Sequence, residues 1–192
     1  KWAIDEASLP SVKVNIQGVE AATINNRKVA VDRGSASFPV FYPGVYAVSY
    51  DSTVYTAQKV NEVVTAQDAN HSVRMELKPS DNALASVNEQ VQEHLKKCTQ
   101  QSTLYPGGCP FEYAFTGRVD SEVKWSVVKV ADPQVSVSSA GVWSLKPMLG
   151  TAKVSFTQLD LYTGARSQVQ KEIPFTLKAS VEADAKAVRV SF

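Results

Sequence analysis

The chain has 192 residues, 44% of them apolar and 20% charged, a composition that supports a folded core and argues against a disordered chain. Its 20 basic and 19 acidic residues leave a net charge of +1 with no basic block, which excludes a nucleic-acid footprint or a polybasic membrane patch. No apolar run approaches the roughly 20 residues that cross a bilayer.

Read from the N-terminus, residues 12 to 77 predict short strands. VKVNI alternates apolar and polar residues, and in VYAVSY the positions Val45, Ala47 and Ser49 oppose Tyr46, Val48 and Tyr50. Turn signals recur at Gly18, Asn25-Asn26, Arg33-Gly34, Pro43-Gly44 and Asp51-Ser52, and again at Asp68-Ala69-Asn70. That spacing suggests a small β-sandwich, because one twisted sheet needs a second on which to bury its apolar face. SVRMEL is its expected last strand.

At Pro79 the pattern changes. In SDNALASVNEQVQEHLKKC, residues Leu84, Val87, Val91, Leu95 and Cys98 follow a 3, 4, 4, 3 spacing, one stripe at helical period. Ser80 or Asp81 supplies the N-cap, and Lys96 and Lys97 suit the negative end of the helix dipole. Strand patterns then resume in FEYAFTG, EVKWSVVKV, QVSVS, GVWSL, TAKVSFTQLDLY, KEIPFTLKASV and AVRVSF. The expected plan is mainly β, or α+β: a β-sandwich over residues 1–79, then an α+β domain over 80–192 in which the helix packs on an antiparallel sheet.

The only two cysteines are Cys98 and Cys109, in CTQQSTLYPGGCPF. A structural zinc site wants four ligands, and adding His94, one helical turn before Cys98, leaves the set one short. A redox pair is normally spaced CxxC at a helix N-terminus, whereas Cys98 closes a helix. A disulfide staple fits best: the Pro-Gly-Gly turn brings the chain back, and a loop this short contributes roughly 3 kcal/mol in the chain-entropy treatment. A disulfide in turn points to an oxidising, extracytoplasmic compartment.

Two stretches carry a resemblance. ATINNRKVAV…SFPVFYPGVYAVSY resembles the extracytoplasmic PEGA-like β-modules, with Pro43, Gly44 and Tyr46 at the Pro-Gly-x-Tyr corner. HLKKC…LYPGGCPFEY, with VKWSVVK and LYTGAR, is similar to the Cys-containing segment in ectodomains of actinobacterial membrane-anchored envelope proteins. The resemblance implies an ectodomain of a cell-envelope protein, anchored through a segment upstream of Lys1, with a cystatin-like or related helix-on-sheet cone in its second half. It transfers no catalytic residue.

Chemistry is sparse. The motifs GxSxG, HExxH and GxxxxGK[ST] do not occur. His71 reads as a solvated loop residue and His94 as a helix-surface residue, and the acidic pairs Asp120 with Glu122 and Glu182 with Asp184 adjoin turns, where exposed charge is ordinary. Asn70-His71-Ser72 matches a glycosylation sequon. Trp125 and Trp143 read as core. No cofactor is expected.

Tyrosine, with an apolar body and a polar tip, is favoured at contact surfaces. Tyr42 and Tyr55, beside turns, are candidates for a protein or cell-wall-glycan surface, and Tyr105 stands on the YPGG loop. The reading is therefore a non-enzymatic extracytoplasmic binding or spacer module. Its rivals are a ligand carrier or enzyme with a cavity inside the C-terminal cone, excluded if Trp125, Trp143, Phe156 and Phe175 fill that space, and an inhibitor or adhesin that presents Tyr105.

Overall fold

The computed structural model describes residues 9–66, 71–184 and 186–192. The turn expected at 68–70, and with it Asn70 of the sequon, lies outside the described residues. The fold is mainly β with one α-helix among the described residues, an α+β plan with several antiparallel sheets. The chain divides into two compact units. The first takes the chain up to Ala83 with Ser136–Trp143 and Ala185–Ala187; the second takes Leu84–Val135, Ser144–Asp184 and Val188–Phe192.

In the first unit β1 (Ser11–Ile16) alternates as its sequence demands, with Val12, Val14 and Ile16 buried while Ser11 and Lys13 face solvent. β2 (Ala21–Ile24) and β3 (Arg27–Ala30) form a hairpin closed by Asn25 and Asn26. Both asparagines adopt positive φ, 45° and 65°, the pair of left-handed residues that a two-residue hairpin turn of matching twist requires. β4 (Ser35–Pro39), β5 (Gly44–Asp51), β6 (Tyr55–Val64), β7 (His71–Met75) and β8 (Lys78–Pro79) complete the unit. Two sheets result, β4-β1-β7 and β3-β2-β5-β6-β8, and the β1–β7 pair is parallel. Val12, Val14, Ile16, Val73 and Met75 of the first share one core with Ala22, Ile24, Val48, Ala57 and Val64 of the second, which makes the unit a sandwich.

The helix α1 (Asp81–Thr99) starts at Ser80, whose buried hydroxyl accepts from the Ala83 amide and donates to the Thr53 carbonyl. Its buried stripe runs Ala83, Val87, Val91, Leu95, Cys98. Leu84, expected in that stripe, is exposed. Ala83 takes its place because a spacing of four continues the 4, 4 rhythm of the residues that follow, and it keeps the narrow seam in line.

The second unit contains β9 (Arg118–Val119), β10 (Lys124–Val130), part of the hairpin of β11 (Val135–Val137) and β12 (Trp143–Leu145), then β13 (Met148–Leu159), β14 (Arg166–Leu177), β15 (Ser180–Ala183) and β16 (Val188–Ser191). β10-β13-β14, with β9 also paired to β13, is an antiparallel sheet whose buried face carries Trp125, Met148, Ala152, Val154, Phe156, Phe175 and Leu177. Gln90 ties the helix to β16: its amide donates to the Val188 carbonyl at 3.0 Å and accepts from the Val190 amide at 3.0 Å, as a neighbouring strand would. No helix among the described residues is long and apolar enough to cross a membrane.

FEYAFTG forms no strand. Its alternation is real, with Phe111 buried and Tyr113 and Phe115 half-buried, but these rings dock on other rings: Phe111 lies 4.8 Å from Trp125, and Phe115 stands edge-on to Phe156 at 4.9 Å. A period of two marks an extended chain; it does not by itself supply a ladder partner. β13 likewise ends at Leu159 rather than Tyr162. The Asp160 carboxylate accepts from the amides of Tyr162 and Thr163 at 2.8 and 2.9 Å and turns the chain there, which also holds its own pKa below the ordinary carboxylate value.

Gly150 pairs across the sheet with Phe175, whose buried ring lies where a Cβ on residue 150 would stand. Gly150→Ala is expected to cost about 1–3 kcal/mol, the scale of an overpacked core, as measured by urea unfolding.

Candidate functional site

Cys98 closes the buried stripe of α1, and its side chain therefore points into the second unit. The chain leaves the helix at Thr99, loops through Pro106-Gly107-Gly108 and returns at Cys109 to form the Cys98–Cys109 disulfide, with a Cα–Cα separation of 5.7 Å. Both cysteines are used, and no group of three or more His, Cys, Asp or Glu among the described residues is placed to hold a metal.

The loop is braced from within. The Gln101 side chain donates to the Gly107 carbonyl at 3.1 Å and accepts from the Gly107 amide at 2.8 Å, spanning the loop as a strand partner would. The same Nε2 lies 3.4 Å from the Cys109 sulfur. Outside bonds hold the other side. The Trp125 indole donates to the Thr103 carbonyl at 2.7 Å, the Tyr113 amide to the Leu104 carbonyl at 2.9 Å, and the Ser102 hydroxyl to Glu122 at 2.7 Å. Pro106 is buried. Between these anchors Tyr105 is 53% exposed, an aromatic side chain on a backbone already fixed. Fixing a loop before contact removes much of the ordering cost of binding.

Beneath the loop, the His94 ring stacks on Phe192 at 3.9 Å and lies 3.9 Å from the Cys98 sulfur. It is half-buried, not the free surface residue expected. Burial pushes its pKa below the ordinary 6.5, a hydrogen bond to the Gly108 backbone opposes this, and Lys97 adds to the lowering. Lys97 itself pairs with Glu93 at 2.8 Å. With the folded pKa depressed, the unfolded chain binds the proton more readily, so this contribution to stability is whole above pH 6.5 and is lost as pH falls towards and through the folded pKa. His94→Gln is expected to flatten the decline of stability below pH 6.5 in urea titrations at stepped pH.

The other sequence candidates are scattered. Tyr55 is half-buried: its hydroxyl accepts from the Trp143 indole at 2.9 Å, and the two rings meet edge to face at 5.4 Å. Tyr42 is exposed in the first unit. His71, expected in a solvated loop, is the half-buried first residue of β7 with its side chain largely covered and Nδ1 2.8 Å from the Glu62 carboxylate. It is drawn in because Val12 beside it in the ladder belongs to the core. Asp120 and Glu122 serve different partners, Arg166 and Ser102. Trp125, Phe156 and Phe175 are buried in the second unit, while Trp143, expected to fill the same space, is buried in the first.

Two further groups of apolar residues, Tyr42 apart, are exposed without a surface signal in the sequence. Leu161 and Tyr162, read as strand, stand at the tip of the β13–β14 hairpin with Tyr162 98% exposed. Phe41, Val45 and Val63 join Tyr42 at a corner of the first unit. Comparisons with family models, with curated proteins and with solved structures found no match in any of the three.

Proposed function

We propose that the chain is a non-enzymatic, extracytoplasmic binding module of a bacterial cell-envelope protein, with the disulfide-closed loop as its contact edge and a protein as the partner of that edge. The observation that carries this reading is Tyr105, exposed on a loop tied by the Cys98–Cys109 bridge, by Gln101 and by Trp125. Rigid exposed aromatics of this kind dominate the energetics of protein contacts. The disulfide suits an oxidising compartment outside the cytoplasm. The resemblance of Pro43, Gly44 and Tyr46 to a PEGA-like corner, and of the Cys-containing segment to envelope ectodomains, supports placement in a membrane-anchored envelope protein.

Tyr105→Ala tests it. Retention of the labelled chain on intact bacterial cells is expected to fall about tenfold or more, the scale of a contact hot spot, with no change in melting temperature. A fall in melting temperature with retention unchanged assigns Tyr105 to packing and contradicts the reading.

A further inference from the structure

The first unit carries a second surface, independent of the loop. β5 and β6 pair Val45 with Val63, and both side chains are 56% exposed on the outer face of their sheet. The turn that leads into β5 adds Phe41, 59% exposed, and Tyr42, 42% exposed. These positions are held. The Tyr46 hydroxyl donates to the Phe41 carbonyl at 2.8 Å, and a Cβ at Gly44 would stand 3.0 Å from that same oxygen, so the corner closes tightly only with glycine there. On the other side Asn25 accepts from the Ala47 amide at 2.9 Å, fixing the β5 backbone beside Val45.

Size and charge limit what this surface takes. Four half-exposed side chains leave on the order of 300–400 Å² of apolar area, the scale of a functional patch on a monomer and well below the roughly 800 Å² per partner of a stable dimer. The neighbouring outward pair is Ala47 with Asn61, uncharged. Glu62 points to the opposite face, where it meets His71, and the first charged residue on the outer side of β6 is Lys59, beyond Asn61. The surface therefore suits a small neutral ligand with one apolar face and hydrogen-bonding edges. A pyranose ring has this form: its C–H face lies on an aromatic side chain while its hydroxyls reach amide groups such as Asn61.

We infer that the Phe41–Tyr42–Val45–Val63 corner is a binding site for a neutral glycan chain. The test is co-sedimentation of the intact chain with insoluble chitin, cellulose, starch and mannan, each uncharged. The wild type is expected to be depleted by at least one. Phe41→Ala and Tyr42→Ala should each weaken that binding about tenfold or more, as one buried aromatic side chain does, without lowering the melting temperature. The double variant V45T/V63T, which keeps the strand-favouring branched shape, should weaken it too. Y105A should leave it unchanged, which separates this site from the loop. Depletion by none of the four, or equal depletion of all variants, overturns the assignment. Self-association of the glycan-free chain that F41A abolishes gives the corner to a second copy and also overturns it.

Discussion

Removing the bridge between Cys98 and Cys109 is expected to cost about 3 kcal/mol, the entropy returned to the unfolded chain when a loop of this length is opened. The variant that isolates this is Cys109→Ala. Cys98 is fully buried on the helix stripe, where a free thiol behaves as a small apolar group, so leaving it in place avoids a cavity. In a domain of about 100 residues such a loss lowers the melting temperature by on the order of 10 °C or more. Urea unfolding of the wild type and C109A reads it directly. A difference below about 1 kcal/mol would mean that Gln101 and Trp125 already restrain the loop in the unfolded ensemble, against the entropic account.

Trp125 is the other large lever. Its indole packs on Phe111, is almost wholly buried, and donates to the Thr103 carbonyl at 2.7 Å. Trp125→Ala is expected to cost about 3–5 kcal/mol, combining lost transfer energy with a cavity. Trp125→Phe keeps most of the ring and gives up the hydrogen bond, for about 1 kcal/mol. Urea titration separates the two. If the phenylalanine variant costs as much as the alanine one, the hydrogen bond to the loop outweighs the packing, and the loop is held more by Trp125 than by the disulfide.

Local patterns were legible wherever one residue's environment depends on its own neighbours. The alternation in VKVNI marks β1, Asn25-Asn26 marks a hairpin turn, and the stripe through Val87, Val91 and Leu95 marks α1 with Cys98 facing inward. Legibility ends where a distant partner decides. Phe111, Tyr113 and Phe115 alternate like a strand because they dock rings on a core; no sequence signal says whether a ladder partner is present. Asp160 ends β13 through two side-chain bonds that a period-two pattern does not encode.

The candidate site was half visible. Cys98, Cys109 and Tyr105 stood out by residue type, but the bracing did not, because Gln101 to Gly107 and Trp125 to Thr103 are contacts made by an irregular loop. Tyr55 looked like surface for want of its partner Trp143, which lies 88 residues further along the chain. At the corner near Phe41 only Tyr42 stood out, and the rest was hidden for the opposite reason. Valines in strands read as core, and only the pairing of Val45 with Val63 on an uncovered sheet face shows them to be outside.

The most direct test of the braced loop as a working surface is site-specific photo-crosslinking. A photoreactive phenylalanine analogue replaces Tyr105 in the protein expressed in living cells, with the exposed β14 position Gln168 as control. The account predicts a discrete protein adduct from position 105, formed outside the cytoplasm, absent from position 168 and lost when the bridge is removed by C109A. The same adducts from both positions, or none from position 105, would contradict it.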